Sequence, residues 1–169
     1  MMKDIFGTAI LDYQLGNYSE DLITSTSISE ADSLPLPYLF RNYSEMPCLE
    51  KTALKLSRGT VLDIGCGAGS HSLYLKSKGL KVKSIDISGG AIEACRLRGL
   101  RQAHVLNVMD ETSSFDTLLL LMNGSGVFQS LANTPFVLSH LKKLINPDGQ
   151  ILIDSSDIKY MYENEIGGY

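Results

Sequence analysis

The sequence predicts an α/β fold in which helices cover both faces of a parallel sheet. Three observations carry that expectation. From residue 60 onward, short apolar runs rich in β-branched residues alternate with segments of helical period. The first of these runs, Thr60-Val-Leu-Asp-Ile64, leads directly into three glycines at alternate positions, Gly65, Gly67 and Gly69. The chain has 169 residues, 44% hydrophobic and 20% charged, which suits one domain with a sizeable core.

Residues 1–45 show no strong period. Asp12-Tyr13 and Gly16-Asn17 read as turns. Pro35-Leu-Pro-Tyr-Leu-Phe-Arg-Asn-Tyr43 is aromatic, and its prolines argue against an interior strand. We expect this first segment to lie over the site as a lid or cap, with the core beginning at residue 46 and running to 169. Met46 to Ser57 has an apolar side made of Leu49, Ala53, Leu54 and Leu56, so a helix is expected there. Pro47 is tolerated in its first turn, and Arg58-Gly59 ends it.

The alternation then runs as follows. Residues 60–64 form the first strand, and about 70–78 the helix after it, closed by Gly79. Lys81 to Ile85 is the second strand, ending at Asp86, and Gly90 to Leu97 the next helix. Ala103 to Leu106 and Thr117 to Met122 are the third and fourth strands. Phe136 to Ile145 is helical, Asn146-Pro-Asp-Gly149 is a strong turn, and Gln150 to Ile153 is the fifth strand. In such a sheet the ligand crevice lies at the carboxyl ends of the strands, where the strand order reverses.

The glycine run narrows the ligand class. A strand that ends in glycines and opens a helix brings backbone N–H groups close to a ligand. The dinucleotide spacing G-x-G-x-x-G would need a glycine at position 70, which is Ser70. Here the spacing is G-x-G-x-G, with Asp63 two residues before the first glycine. Asp86 ends the second strand about 20 residues later, where a carboxylate can accept both ribose hydroxyls of an adenosine. Capping or turn duty is the alternative for Asp86, and Ser88 can itself cap the following helix.

Asp63-Ile-Gly-Cys-Gly-Ala-Gly69 resembles the first motif of the class I, Rossmann-like S-adenosylmethionine-dependent methyltransferases, and Ile85-Asp-Ile-Ser88 resembles their second. The resemblance covers roughly residues 46–157. It implies a three-layer sheet of order 3-2-1-4-5, S-adenosylmethionine as cofactor, and methyl transfer to a nucleophilic O, N, S or C atom. It also implies a cofactor site made of Asp63, Gly65, Cys66, Gly67, Gly69, Asp86 and Ile87. The adenine contact falls to Asn107 or Asp110, and Asn123 lines the cofactor. In this pattern Asp63 fixes the glycine loop and approaches the amino end of the methionine moiety. Asn123 is followed by Gly124, so the N-P-P-Y tetrapeptide of amino-methylating enzymes is absent. A non-catalytic S-adenosylmethionine-binding module is the alternative, and a nicotinamide-dependent oxidoreductase fits the glycine spacing less well.

The remaining polar residues nominate no catalytic group. His71, His104 and His140 lack metal-ligand spacing, so no metal is expected, and His71 is read as an exposed residue beside the loop. Asp154, Ser155, Ser156 and Asp157 read as a polar loop. Tyr13, Tyr18, Tyr38, Phe40 and Tyr43, with Arg41, form either a lid or ordinary packing. A formal charge of −4 and a pI near 5.3 argue against a nucleic-acid face and favour a small-molecule acceptor. Three cysteines without metal spacing, and no apolar run long enough for a membrane span, favour the cytoplasm.

The family fold carries two more strands after the fifth, and the sequence leaves no room for both. C-terminal strands 6 and 7 are therefore expected to be absent and the core truncated. Ile151, Leu152 and Ile153 would then form an open edge that a homodimer could cover.

Overall fold

The computed structural model of the chain describes residues 3–25 and 31–157. The final stretch, 158–169, on which the expectation about the chain's end falls, lies outside the described residues.

The N-terminal segment is more ordered than its lack of period suggests. Helix α1 (Ile5–Leu15) is followed by a short antiparallel hairpin, β1 (Leu22–Thr24) and β2 (Asp32–Leu34), and by the single turn α2 (Leu36–Leu39). Asp12 and Tyr13 therefore lie within a helix, and the turn comes only at Gly16, which caps α1 at φ 80°. Tertiary packing stabilises α1. Ile10 is fully buried against Leu36, Leu39, Ala91 and Ala94. Glycine is required where α1 meets the N-terminus of α5 (Gly89–Leu97), because a Cβ on Gly90 would lie 2.3 Å from the Gly7 carbonyl oxygen. Asp4 locks the contact. Its carboxylate accepts hydrogen bonds from the Gly7 N–H at 2.9 Å, the Ser88 hydroxyl at 2.9 Å and the Gly90 N–H at 3.2 Å. Those amide bonds hold its pKa below the ordinary carboxylate value, against the opposing effect of burial.

The core is α3 (Cys48–Leu56), β3 (Thr60–Ile64), α4 (Ser70–Ser77), β4 (Lys81–Asp86), α5, β5 (Ala103–Val105), β6 (Phe115–Leu120), α6 (Thr134–Lys143) and β7 (Ile145–Ile153). Its five strands are all parallel, in the order β5-β4-β3-β6-β7. Alternate residues of the central strand serve opposite faces, as the two-residue strand period demands. Leu62 and Ile64 pack with Leu118, Leu120 and Leu141 of α6, whereas Val61 packs with Leu54 of α3 and Leu75 of α4.

Two expectations need correction. The sequence predicts five strands, with strands 6 and 7 absent. The described residues form seven strands, and the sixth and seventh, β6 and β7, make up one side of the five-stranded parallel sheet. The miscount arose in the first 45 residues, whose β1–β2 hairpin moves every later strand up by two. The fold is otherwise α/β and Rossmann-like. The second correction concerns Asn146-Pro-Asp-Gly149, expected to separate α6 from the last strand. It lies inside β7 as a bulge: Phe115 pairs with Ile145 and Thr117 with Gln150, and Asp148 turns to φ 63°. Asn146 anchors the bulge by donating from Nδ2 to Asp116 Oδ1 at 2.9 Å.

Candidate functional site

The loop between β3 and α4 sits at the carboxyl end of the central strand, where the sheet order reverses. Gly65, Gly67 and Gly69 all take positive φ, at 72°, 51° and 81°. Each has a different surrounding. A Cβ on Gly65 or Gly67 would meet nothing within 4 Å, so these two border open space. A Cβ on Gly69 would fall 2.5 Å from Leu100 Cδ1 and 2.8 Å from Cys95 Sγ, which makes Gly69 a packing residue. The loop is pinned to β4: the Gly65 and Cys66 N–H groups donate to the Ile85 carbonyl at 2.9 and 3.1 Å. Asp86 completes the pin, accepting from the Gly67 N–H on Oδ2 and from the Ser88 N–H on Oδ1, both at 2.9 Å. Cys66 is buried with its sulfur 3.8 Å from that of Cys95; this contact and burial push its thiol pKa up, so it is no nucleophile.

Two clefts open on either side of Gly65. The smaller, about 330 Å³, is lined by Asp86, Ile87, Asn107, Met109 and Val127 among others. Its apolar walls and single carboxylate suit a flat base joined to a polyol. Asn107 keeps its wall in shape by accepting from the Met109 N–H at 3.0 Å. Asp110, the other nominee for base contact, is exposed and lines neither cleft.

The larger cleft, about 520 Å³, lies between the glycine loop, the N-terminal segment and the loop after β6. Asn123 lines it in a left-handed conformation, φ 63° and ψ 44°. Asp154 imposes that conformation. Its carboxylate accepts from the Met122 N–H at 2.9 Å and the Gly124 N–H at 2.8 Å, on both sides of Asn123. Ser156 then donates to Asn123 Oδ1 at 2.6 Å. The run after β7 is thus a clamp on the site, a role its polar composition did not disclose.

Three residues of this cleft escaped the sequence reading as a group. His71 is buried at 7% exposure, contrary to the expectation of an exposed residue. Its Nε2 lies 2.7 Å from Glu50 Oε2, and Arg41 Nη2 donates to both oxygens of the same carboxylate. Burial opposes the charge on Glu50, yet His71 and Arg41 outweigh it and hold its pKa below the usual range. Arg41 also lies over the Tyr38 ring, 4.0 Å from its centroid, and its buried Nε has no hydrogen-bond partner among the described residues. The aromatic set divides accordingly. Tyr38 lines the cleft, Tyr13 packs on Tyr18 and Phe40, and Tyr43 stacks on Tyr74 at 4.0 Å. No local pattern links positions 41, 50 and 71; a buried Arg–Glu–His trio becomes visible only in the fold.

Asp63 lies behind the loop and lines neither cleft. It accepts from the Ser72 hydroxyl at 2.6 Å, and Ser72 is 2.7 Å from the Ser84 hydroxyl, so the acid ties β3, β4 and α4 together. Burial raises its pKa, against the lowering effect of the Ser72 hydrogen bond.

A parallel sheet with a glycine loop at the order reversal and a carboxylate ending the next strand defines a Rossmann-like domain built for a nucleoside-bearing cofactor. The family described as a methyltransferase domain matches residues 62–153, more than half of the chain. The crystal structure of an S-adenosylmethionine-dependent methyltransferase from Bacteroides fragilis, in complex with S-adenosylhomocysteine, is 43% identical. It superposes with a TM-score of 0.93 over 99% of this chain and 70% of that one. The chain belongs to the S-adenosylmethionine-dependent methyltransferases. It is also similar to the malonyl-[acyl-carrier protein] O-methyltransferase of Serratia marcescens, 26% identical over 56% of this chain and 37% of that protein. The chain thus spans under two fifths of the curated relatives it matches. A sugar N-methyltransferase from a Streptoalloteichus species shares the fold, with a TM-score of 0.58 and 16% identity over 82% of this chain and 60% of that one. Among the described residues no helix is long and apolar enough to cross a membrane.

Proposed function

We propose that this chain binds S-adenosylmethionine across Gly65 and transfers its methyl group to a small-molecule acceptor seated in the larger cleft. The observation that carries the reading is the pair of clefts meeting at one open glycine, with Asp86 facing the smaller of them. The cofactor fits this arrangement: a nucleoside suits the smaller cleft, and the open space at Gly65 and Gly67 lets a narrow arm pass over the backbone into the larger one. Asp86 would accept from the ribose hydroxyls with the lone pairs not used by Gly67 and Ser88. Ile87 would pack on the adenine face, and the Asn107 side would border its edge. Gly65, Cys66 and Gly67 would pass the arm, and Asn123 would border its far end. Gly69 and Asp63 would act by holding the loop.

When bound, the cofactor supplies a methyl group already activated on a sulfonium, so the protein's task is positioning and exclusion of water. In this reading the N-terminal segment is the lid: Phe6, Leu34, Tyr38 and Leu39 close the larger cleft from above. The formal charge of −4 supports a small-molecule acceptor over nucleic acid. Three free cysteines, two of them buried, support a reducing cytoplasm. β7 is the last strand on its side of the sheet among the described residues, and pairing there with a second copy is the self-association we propose. Incubation with methyl-tritiated S-adenosylmethionine and a panel of small hydroxyl, amine, thiol and carboxylate acceptors tests the activity. Label transferred with release of S-adenosylhomocysteine is expected. Tight cofactor binding without transfer to any acceptor would favour a binding module instead.

A further inference from the structure

Resting on the methyl-transfer reading, we propose that His71 is the proton acceptor of this site, and that the methyl acceptor is a nucleophile whose proton must be removed, such as a hydroxyl compound, rather than a carboxylate. The argument begins at Glu50. Its carboxylate is ionised and engaged by Arg41, so the short contact from His71 Nε2 requires the proton on that nitrogen. Nδ1 then carries a lone pair. It makes no hydrogen bond to the described residues and is not among the sealed-off polar atoms, while the ring lines the larger cleft. A carboxylate that fixes one ring nitrogen and leaves the other bare toward a cleft is an arrangement for taking a proton.

The carboxylates and the thiol within the cleft are spent. Glu50 is paired on both oxygens, Asp154 is held by the Met122 and Gly124 amides, and the Cys66 thiol is buried against Cys95. The charged groups facing the imidazole are Glu50 from α3, Arg41 from the turn after α2, and Asp63 from β3. In the step itself, the acceptor oxygen bonds to the methyl carbon while the methyl–sulfur bond breaks and sulfur keeps the electron pair. The hydroxyl proton passes to His71 Nδ1, the resulting imidazolium faces Glu50, and the proton then leaves to water. A carboxylate acceptor, ionised on arrival, would need none of this. Glu50 is a positioning residue here.

Two measurements on the full chain test the proposal. Nitrogen-15 NMR of histidine-labelled protein with S-adenosylhomocysteine should show His71 protonated on Nε2 and bare on Nδ1 at neutral pH. The second uses His71→Gln, whose amide can still donate to Glu50. Its affinity for S-adenosylhomocysteine should be largely retained, while methyl transfer to phenol and simple alcohol probes falls about 10²–10⁴-fold. The acidic limb of the pH profile should vanish with it, and any transfer to carboxylate probes should persist. A proton on Nδ1 across about pH 6 to 9, wild-type rates with hydroxyl probes in His71→Gln, or transfer to carboxylates alone would overturn the proposal. If His71→Gln fails to fold, the NMR result on the wild type decides. Failure of the wild type to bind S-adenosylhomocysteine would instead overturn the methyl-transfer reading itself.

Discussion

The smaller cleft and the larger cleft share Gly65 and are assembled from different kinds of information. The smaller one draws its functional wall from short stretches at the ends of adjacent strands: Asp86 and Ile87 after β4, Asn107 after β5. Each of these follows a strand end that the sequence pattern marks. The larger one gathers Arg41, Glu50, His71 and Asp154 from parts of the chain separated by more than 100 residues. The difference is one of range. A strand-end position is fixed by local backbone, whereas a buried charge network is fixed by which distant elements pack together. In the proposed reading, ligand anchoring is thus written locally, and the residues beside the reacting atoms are written by the whole fold.

Gly69 gives the strongest test of that contrast, because it packs the loop whose Gly65 borders both clefts. Gly69→Ala forces a side chain into a left-handed position and against Leu100 and Cys95. Strain there costs about 1–3 kcal/mol and overpacking costs about 1–3 kcal/mol more. Thermal unfolding should register a loss of about 3 kcal/mol, and an unchanged melting temperature would show that the loop tolerates the methyl group.

Asp86→Ala should separate the clefts. It removes the acceptor of two backbone N–H groups and of the proposed ribose contacts. Hydrogen bonds to a charged group are worth about 1.5–3 kcal/mol each, so we expect S-adenosylhomocysteine to bind about 100-fold more weakly by calorimetry. The His71–Glu50 contact should be unaffected, and histidine NMR of the variant can read that directly. Collapse of both clefts would mean that they are not independently built.

The smallest effect lies away from both. Glu111 is buried, and although burial works against its charge, Lys83 at 2.6 Å and the Ser113 and Thr112 amides lower its pKa from 4.5 to about 2. A carboxylate whose folded pKa is depressed stabilises the fold above its unfolded value and loses that contribution as pH falls toward the folded value. The melting temperature should therefore drop as pH is lowered from about 4.5 to about 2. Glu111→Gln should show a shallower drop, and an unchanged slope would remove Glu111 from the acid response.

Much of the fold was legible because it rests on period. The buried run at 60–64, the glycines after it, and the alternation of strands and helices to residue 153 follow from burial on both sheet faces. The N-terminal helix was not legible, because Gly7 and apolar residues around its whole surface leave no clear stripe; its stability comes from α5 and the Asp4 clamp. The hairpin between them is three residues a strand, too short for a pattern. The turn at 146–149 was read correctly as chemistry and misplaced as architecture, since Asp148 bends the chain inside a strand. His71 was misread because exposure is the ordinary state of a lone histidine beside a loop, and its partners stand 21 and 30 positions earlier.

The central claim is that one ligand spans both clefts over Gly65, anchored by its nucleoside end. Calorimetric titration of wild-type protein and Asp86→Ala, with S-adenosylhomocysteine and with 5′-methylthioadenosine, which lacks the amino-acid arm, tests it most directly. The account predicts saturable binding of both ligands to the wild type, tighter for the one that reaches the larger cleft, and a comparable loss of both in Asp86→Ala. No binding of S-adenosylhomocysteine, or an undiminished affinity in Asp86→Ala, would contradict it.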